Sequence, residues 1–477
     1  MEKHTEQELI RLFETWSGEN VESTQLLPPS GSYREYLRIK GSRCSAIGAY
    51  NPDKKENRAF IEFTKHFRTL NLNIPELYSE NTDENIYLIE DLGDITLFSF
   101  INQHRDGKNY TNRIVDAYKA VIEQLPKFQI KAGKNLDYSV CYPRSKFDKQ
   151  SMMWDLNYFK YYFLKLARIP FDEQALEEDF QTFTDYLLQT ETDYFLYRDF
   201  QSRNVMLKDG APYFIDYQGG RRGALHYDLA SLLYDAKADM PDSVRKMLLG
   251  YYIVTVSKYT RIEPEKFKQY FYGYVLIRIM QAMGSYGFRG FYEKKEHFLQ
   301  SIPYALNNLS SILSRVQFPI KIPALLDALE NVIQSRRLKS ISADLKPLTV
   351  TINSFSYKRG IPIDVSGHGG GFVFDCRSIH NPGRYEKYAN LTGKDTEVIK
   401  FLDAETDIKL YLKNVFNLVD QSVDKYLKRK FSNLMVSFGC TGGHHRSVYC
   451  AEALAKHLKS KFDIKIVLRH LELEMKQ

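Results

Sequence analysis

At 477 residues the chain exceeds what one hydrophobic core serves, and 43% hydrophobic with 26% charged residues is ordinary for a globular protein. The five cysteines (Cys44, Cys141, Cys376, Cys440, Cys450) are odd in number and lack metal-ligand spacing, which argues against a disulfide scaffold and for a reducing compartment. The net charge is +7, and all of that excess lies from Lys346 onward, where 21 basic residues face 14 acidic ones; such a segment suits an anionic partner, phosphate or RNA, or a solvated basic face.

The opening MEKHTEQELIRLFETW is charged and helix-like, without the apolar core of a signal peptide. No apolar run reaches bilayer-spanning length, MLLGYYIVTV being too short, so the expected location is cytoplasmic with no membrane partner. Strands are predicted at Ser32–Ile39 and Cys44–Tyr50, around a turn at Lys40-Gly41. A helix follows over Asn57–Leu70, with Phe60, Phe63, Phe67 and Leu70 at helical spacing, and then a short strand at Ile86–Ile89. Glu90-Asp91-Leu92-Gly93 ends this stretch as an acidic-glycine connector. Hairpin, helix, strand and connector match a kinase small lobe and hinge, placed at residues 1–95.

Residues 96–313 read as a helical lobe with amphipathic segments at Tyr118–Leu125, Asp179–Leu188 and Tyr270–Met283, interrupted by a strand–loop–strand over Phe195–Tyr217. Residues 314–345 read as a helical connector with Pro319 and Pro323 at its start. From 346 to 477, strands at Leu348–Phe355, Gly371–Asp375 and Leu434–Phe438 and a helix at Val448–Leu458 indicate an independent α/β unit. The expected fold is α+β, protein-kinase-like and bilobal, followed by a separate α/β domain.

The chemistry concentrates in LYRDFQSRNVMLKDGAPYFIDYQGGRRGALHYDLASLLYD, Leu196 to Asp235. Asp199 follows an apolar strand on a polar loop, where a carboxylate can take a proton from a hydroxyl. Asn204, five positions on, and Asp216, at the end of Tyr213-Phe214-Ile215, can converge as oxygen ligands of Mg²⁺ with ATP phosphates. A hairpin with polar ends is the plain alternative, but three such residues at this spacing favour ATP-dependent phosphorylation of a small molecule. There is no G-x-x-x-x-G-K-[ST] loop.

These residues resemble the aminoglycoside phosphotransferase/choline kinase superfamily. RDFQSRN, IDYQ and HYDLASLLYDA, with GSYREYLRI and LIEDLG, are similar to the anomeric amino-sugar kinases over about Val21 to Leu313. The resemblance implies phosphorylation of the C1 hydroxyl of N-acetylmuramic acid or N-acetylglucosamine. Asp199 is then the base, Asn204 and Asp216 the Mg²⁺ ligands, and Asp228 a structural support of the catalytic loop. Two departures stand out. Tyr197 occupies the position usually held by a buttressing His, and the strand Ser45–Tyr50 lacks a phosphate-grounding lysine, for which Arg34 or Arg38 are the expected substitutes. Gly31-Ser32 is the expected phosphate-covering turn, and Glu90 to Leu92 the expected adenine-binding backbone.

Near the C-terminus, SFGCTGGHHRSVYCAEALAKHL runs strand, glycine-rich loop, helix. Cys440, Thr441, Gly442, Gly443, His444, His445, Arg446 and Ser447 therefore form a candidate phosphate site at a helix start. With SFSYKRGIP, FVFDCRSIHNP, LTGKD and VLRHLELE, this loop resembles the C-terminal domain of RapZ-type RNase adapter proteins over about Lys346 to Gln477, which implies a bound glucosamine-6-phosphate and contacts to small RNA and protein. Gly383 departs from that family's usual NPH, and a kinase stands where the family has a P-loop half, so sugar-phosphate binding carries over better than RNA regulation. Asp375, Arg377, His380 and Asn381 are candidates for the same pocket, Asp375 and Arg377 equally for a structural ion pair. The basic run Lys425 to Lys430 is read as an RNA-phosphate contact or a solvated helix face. Cys440 to Arg446 also satisfies the C-x₅-R loop of cysteine phosphatases, and a non-enzymatic adapter built on a pseudokinase is the competing class.

Overall fold

The computed structural model describes residues 1–27, 34–107, 109–344, 348–364, 371–404, 406–429, 431–462 and 464–474. Gly31, Ser32, the start of the first predicted strand and Lys430 fall outside them. Two compact units emerge, Met1–Tyr292 with Ser301–Leu338, and Glu293–Gln300 with Lys339–Gln477.

The first unit opens with a five-stranded antiparallel sheet in the order β1-β2-β3-β5-β4, formed by Ser23–Leu26 (β1), Glu35–Lys40 (β2), Ser45–Tyr50 (β3), Leu77–Asn81 (β4) and Ile86–Glu90 (β5). Helix Lys3–Ser17 buries Leu9 and Phe13 against Leu37, Ile39, Ala46, Ile86 and Leu88. Gly48 allows this close approach, since a Cβ there would lie 2.9 Å from Leu9 Cδ2. Helix Lys54–Thr69 starts where Asp53 accepts the N–H groups of Lys55 and Glu56. The predicted aromatic face of this helix has a specific target. Phe60 stacks on Tyr217 at 5.0 Å between ring centres, while Phe63 and Phe67 meet Phe195 edge-on. The small-lobe helix is thereby fixed to the segment holding the candidate catalytic residues.

The rest of this unit is helical apart from two short pairings. Tyr194–Leu196 (β6) pairs antiparallel with Arg221–Gly223 (β9), and Val205–Lys208 (β7) with Ala211–Phe214 (β8). Asp209 and Gly210 have φ of 51° and 79°, the two left-handed positions of a tight hairpin turn. The predicted amphipathic segments lie within helices Asn112–Pro126, Glu173–Leu187 (apart from Leu188, its C-cap) and Pro264–Tyr286. Helix Pro323–Gln334 buries Leu325, Leu329 and Val332, and Asp179 accepts the Leu325 N–H at 2.9 Å, so this part of the expected connector packs within the first unit.

The second unit is built on four parallel strands in the order β11-β12-β10-β13: Thr349–Ser356 (β10), Gly371–Asp375 (β11), Asn433–Cys440 (β12) and Lys465–His470 (β13). Val350, Ile352, Val436 and Phe438 join Ala451 and Leu454 of helix Arg446–Lys461 in one core. Among the described residues, no helix is long and apolar enough to cross a membrane.

Candidate functional site

Strand β6 delivers the chain to Asp199 through Arg198, whose φ is 82°. Such backbone costs energy in a non-glycine residue and must be held. Asp228, buried on helix His226–Leu233, holds it by accepting the N–H groups of Tyr197 at 2.9 Å and Arg198 at 3.0 Å, together with Gln129 Nε2 at 3.2 Å. Burial pushes the Asp228 carboxyl up to about 7. Tyr197 is itself fully buried and donates its hydroxyl to the Ile215 carbonyl at 2.7 Å. The tyrosine thus ties the strand before Asp199 to the residue before Asp216.

Asn204 completes the convergence. Its Nδ2 donates to the Asp199 carbonyl at 2.9 Å and to Asp216 Oδ2 at 3.1 Å, while its own carbonyl accepts the Ile215 N–H at 3.0 Å. Asp199, Asn204 and Asp216 are therefore brought together. Enclosure by protein and the facing Asp199 carboxylate raise the pKa of Asp216 above its ordinary value. The two crowded carboxylates supply hard-oxygen donors of the kind Mg²⁺ takes, with the Asn204 side chain beside them.

The two candidate arginines part ways. Arg34 is 2% exposed, with Nη1 3.9 Å from Asp216 Oδ1 and Nη2 3.5 Å from Glu56 Oε1. Gln218 Nε2 donates to Asp216 Oδ1 at 2.6 Å and reaches Glu56 Oε1 at 3.4 Å. Glu56 and Gln218 escaped the sequence reading: Glu56 immediately precedes the predicted helix and lies in the first turn of the observed one, and Gln218 lies inside IDYQ. Arg38 is not brought to this cluster. Its Nε lies 2.8 Å from Asp91 Oδ2 and its Nη2 2.9 Å from Asp94 Oδ1, so it braces the connector after β5. Glu90 pairs with Lys208, and Leu92 is buried.

In the second unit, β12 ends at Cys440 and the helix begins at Arg446, giving the expected strand–loop–helix. Gly443 has φ 69° and directs its N–H inward to Cys440 Sγ at 3.2 Å, a contact shared by Ser447 Oγ at 3.2 Å. Thr441 is held through its carbonyl by Ser356 Oγ at 2.7 Å, while a Cβ on Gly442 would meet His444 Cδ2 at an ordinary 3.9 Å. The His444 carbonyl accepts the Gly393 N–H at 2.8 Å, and His445 Nε2 lies 3.0 Å from the Tyr388 carbonyl. Arg446 Nη1 donates to the carbonyls of Arg377 at 3.0 Å and Ile379 at 2.9 Å, which binds the 375–381 stretch to the loop. Asp375 and Arg377 form an ion pair at 2.7 Å; His380 Nε2 is 3.4 Å from the Tyr385 hydroxyl, and Asn381 Oδ1 accepts the Gly383 N–H. Glu472, missed in the sequence because it falls after the last predicted element, packs against Gly443 and pairs with Arg359 at 3.2 Å.

Comparison with known proteins places a phosphotransferase enzyme family domain at residues 29–264 and a RapZ C-terminal domain at residues 348–474. A "Nucleotide-binding protein" of Xylella fastidiosa (strain 9a5c) is 37% identical over 127 residues, covering 27% of this chain and 42% of that protein. One from Janthinobacterium sp. (strain Marseille) is 38% identical over 134 residues, covering 28% and 44%. The chain thus spans less than half the length of these relatives. Among solved structures, a choline kinase from Streptococcus pneumoniae is similar at 16% identity and a TM-score of 0.42, over 72% of this chain and 100% of that one. A choline kinase from Cryptosporidium parvum Iowa II is similar at 11% identity and a TM-score of 0.44, over 66% and 94%.

Proposed function

We propose that this chain, which carries a phosphotransferase enzyme family domain followed by a RapZ C-terminal domain, is an ATP-dependent kinase acting on a hydroxyl of an amino sugar. The observation that carries the reading is the single Asn204 amide joining the Asp199 loop to the Asp216 carboxylate. Asp199 accepts the proton of the attacking hydroxyl as its oxygen bonds to the γ-phosphorus and the bond to ADP breaks. Asn204, through its amide oxygen, and Asp216 are the residues to hold Mg²⁺, which when bound neutralises charge on the phosphates. Arg34, anchored by Glu56 and Asp216, supplies fixed positive charge on the same side. Tyr197, by its bond to Ile215, keeps Asp199 and Asp216 in register without a histidine.

The likeness to anomeric kinases makes C1 of N-acetylmuramic acid or N-acetylglucosamine the first acceptors to try. The C-terminal domain is assigned the binding of an amino-sugar phosphate at residues 440–447. The test is incubation with Mg·ATP and, separately, N-acetylmuramic acid, N-acetylglucosamine, glucosamine and an aminoglycoside, followed by phosphorus NMR. An anomeric phosphate signal that disappears in Asp199→Asn is the expected result. Absence of transfer to every acceptor would overturn it.

A further inference from the structure

Gln218, only 6% exposed, stands between two carboxylates. Its Nε2 donates to Asp216 Oδ1 at 2.6 Å and reaches Glu56 Oε1 at 3.4 Å, while its Oε1 has no hydrogen-bond partner among the described residues. The orientation of the amide follows from this chemistry: turned over, it would press a carbonyl oxygen onto two carboxylates. A buried acceptor without a partner costs stability, so the two donor contacts are the ones this side chain is placed to make.

The surroundings hold Gln218 in place. The Tyr217 carbonyl accepts the Gly220 N–H at 2.9 Å, closing a turn with Gln218 and Gly219 at its corners. The Tyr217 hydroxyl lies 2.6 Å from Thr64 Oγ1 and its ring stacks on Phe60, so helix Lys54–Thr69 grips the residue between Asp216 and Gln218. Glu56 stands on the same helix, and Asn51 Nδ2 donates to its other oxygen at 2.6 Å. The two oxygens of Asp216 are taken by different amides, Oδ2 by Asn204 from the Asp199 loop and Oδ1 by Gln218. Together they fix the rotation of the carboxylate about its Cβ–Cγ bond. A neutral donor suits that task. A cation bonded as closely would cancel charge that a divalent metal needs, whereas an amide orients the carboxylate and leaves its charge available. Arg34 accordingly stays back, 3.9 Å from the same Oδ1.

We propose that Gln218 is a positioning residue for the metal: held by Glu56, it donates to Asp216 Oδ1 and so presents that carboxylate to Mg²⁺ in a ligating orientation. This rests on the kinase reading above, in which Asp216 holds the cation. The test is the binding of Mn²⁺, a paramagnetic probe suited to the same oxygen donors, followed by electron paramagnetic resonance in the presence of ADP. Gln218→Met keeps the length of the side chain and removes the donor. Its dissociation constant for Mn²⁺ is expected to rise by roughly 10- to 100-fold. Affinity for ADP alone, titrated calorimetrically in EDTA, should stay within about threefold of wild type, which also shows that the variant is folded. Saturating Mg²⁺ should restore most of the turnover, a recovery that general damage to the fold does not give. Gln218→Asn, whose amide falls a methylene short of Asp216, should change Mn²⁺ affinity in the same direction and takes the place of the methionine variant if that one does not fold. Mn²⁺ affinity within about threefold of wild type in the folded variant, or an equal loss of metal-free ADP binding, would overturn the assignment and leave the kinase reading standing. Failure of wild type to bind Mn²⁺ in the presence of ADP would overturn both.

Discussion

Asp199 and Cys440 each stand where a strand gives way to a chemically loaded loop, yet the surroundings handle charge in opposite ways. In the second unit charges meet their complements locally: Asp375 with Arg377 at 2.7 Å, Arg359 with Glu472 at 3.2 Å, Lys394 with Glu452 at 3.1 Å. Arg446 is the exception, its Nη1 directed onto two neutral carbonyls. Around Asp199 the balance is left open. Asp216 faces Asp199, and burial together with that carboxylate raises its pKa. Like charges held together cost stability, and a fold tolerates them where a ligand completes the set. On the kinase reading proposed above, the imbalance falls at the reacting centre and the paired loop at a binding site.

The comparison is broken most severely by removing the proposed base, Asp199. Asp199→Asn keeps the shape of the loop, whose bonds to Asn204 run through the Asp199 backbone carbonyl. Turnover should fall by roughly 10²- to 10⁴-fold, with the melting temperature essentially unchanged. Steady-state kinetics beside a thermal melt checks both halves.

Asp228 comes next, because three donors converge on a carboxylate with 0% exposure. Asp228→Ala leaves the N–H groups of Tyr197 and Arg198 and the Gln129 amide without their acceptor, and should cost on the order of 3 kcal/mol, read from denaturant unfolding. The pH dependence has a definite sign. The folded-state pKa is raised to about 7, so the folded protein holds this proton more tightly than the unfolded chain. Its favourable contribution is largest below the unfolded value, about 3.9, and is lost as pH rises toward the folded value. The stability of wild type relative to Asp228→Asn should therefore decline from about pH 5 to about pH 7 and level off above about pH 8.

In the paired loop the sharper comparison lies between adjacent glycines. Gly443 has φ 69° and a Cβ there would sit 2.3 Å from Glu472 Cγ, whereas the nearest atom to a Cβ on Gly442 is 3.9 Å away. Gly443→Ala should destabilise the unit by roughly 1–2 kcal/mol and weaken glucosamine-6-phosphate binding. Gly442→Ala should change stability by less than about 0.5 kcal/mol. Calorimetric titration and thermal melts of both variants decide it.

Much of this organisation was legible in the chain because period and punctuation agree. Phe60, Phe63 and Phe67 recur at helical spacing and do form a buried face; Asp209-Gly210 marks a turn and does take left-handed backbone. The joining of Asp199, Asn204 and Asp216 follows from a hairpin short enough to bring its ends together. What stayed hidden depends on long-range approach. Nothing local distinguishes Arg34, which reaches Asp216, from Arg38, which reaches Asp91, although both flank or lie on the same strand. β13 was missed because Lys465–His470 is short and mixes charge with apolar residues, and its status comes only from pairing with β10, more than a hundred residues earlier. Asp155 carries no signal in the sequence at all; its role appears when Arg198 folds onto it.

The finest test concerns the tyrosine that replaces a histidine. Tyr197 contributes one hydroxyl bond to the Ile215 carbonyl at 2.7 Å, while its ring packs edge-on against Phe128 and Phe200. Tyr197→Phe keeps the ring and removes only that bond, so the fold should lose about 1 kcal/mol. The carbonyl it leaves belongs to the residue before Asp216, whose backbone sits at φ 69°. Loosening it should therefore act on catalysis more than on binding: turnover falls several-fold, on the order of one lost hydrogen bond, with KM for ATP nearly constant. If Tyr197→Phe instead raised KM for ATP and spared turnover, the hydroxyl would be serving nucleotide affinity, and the registering role assigned to it would fail.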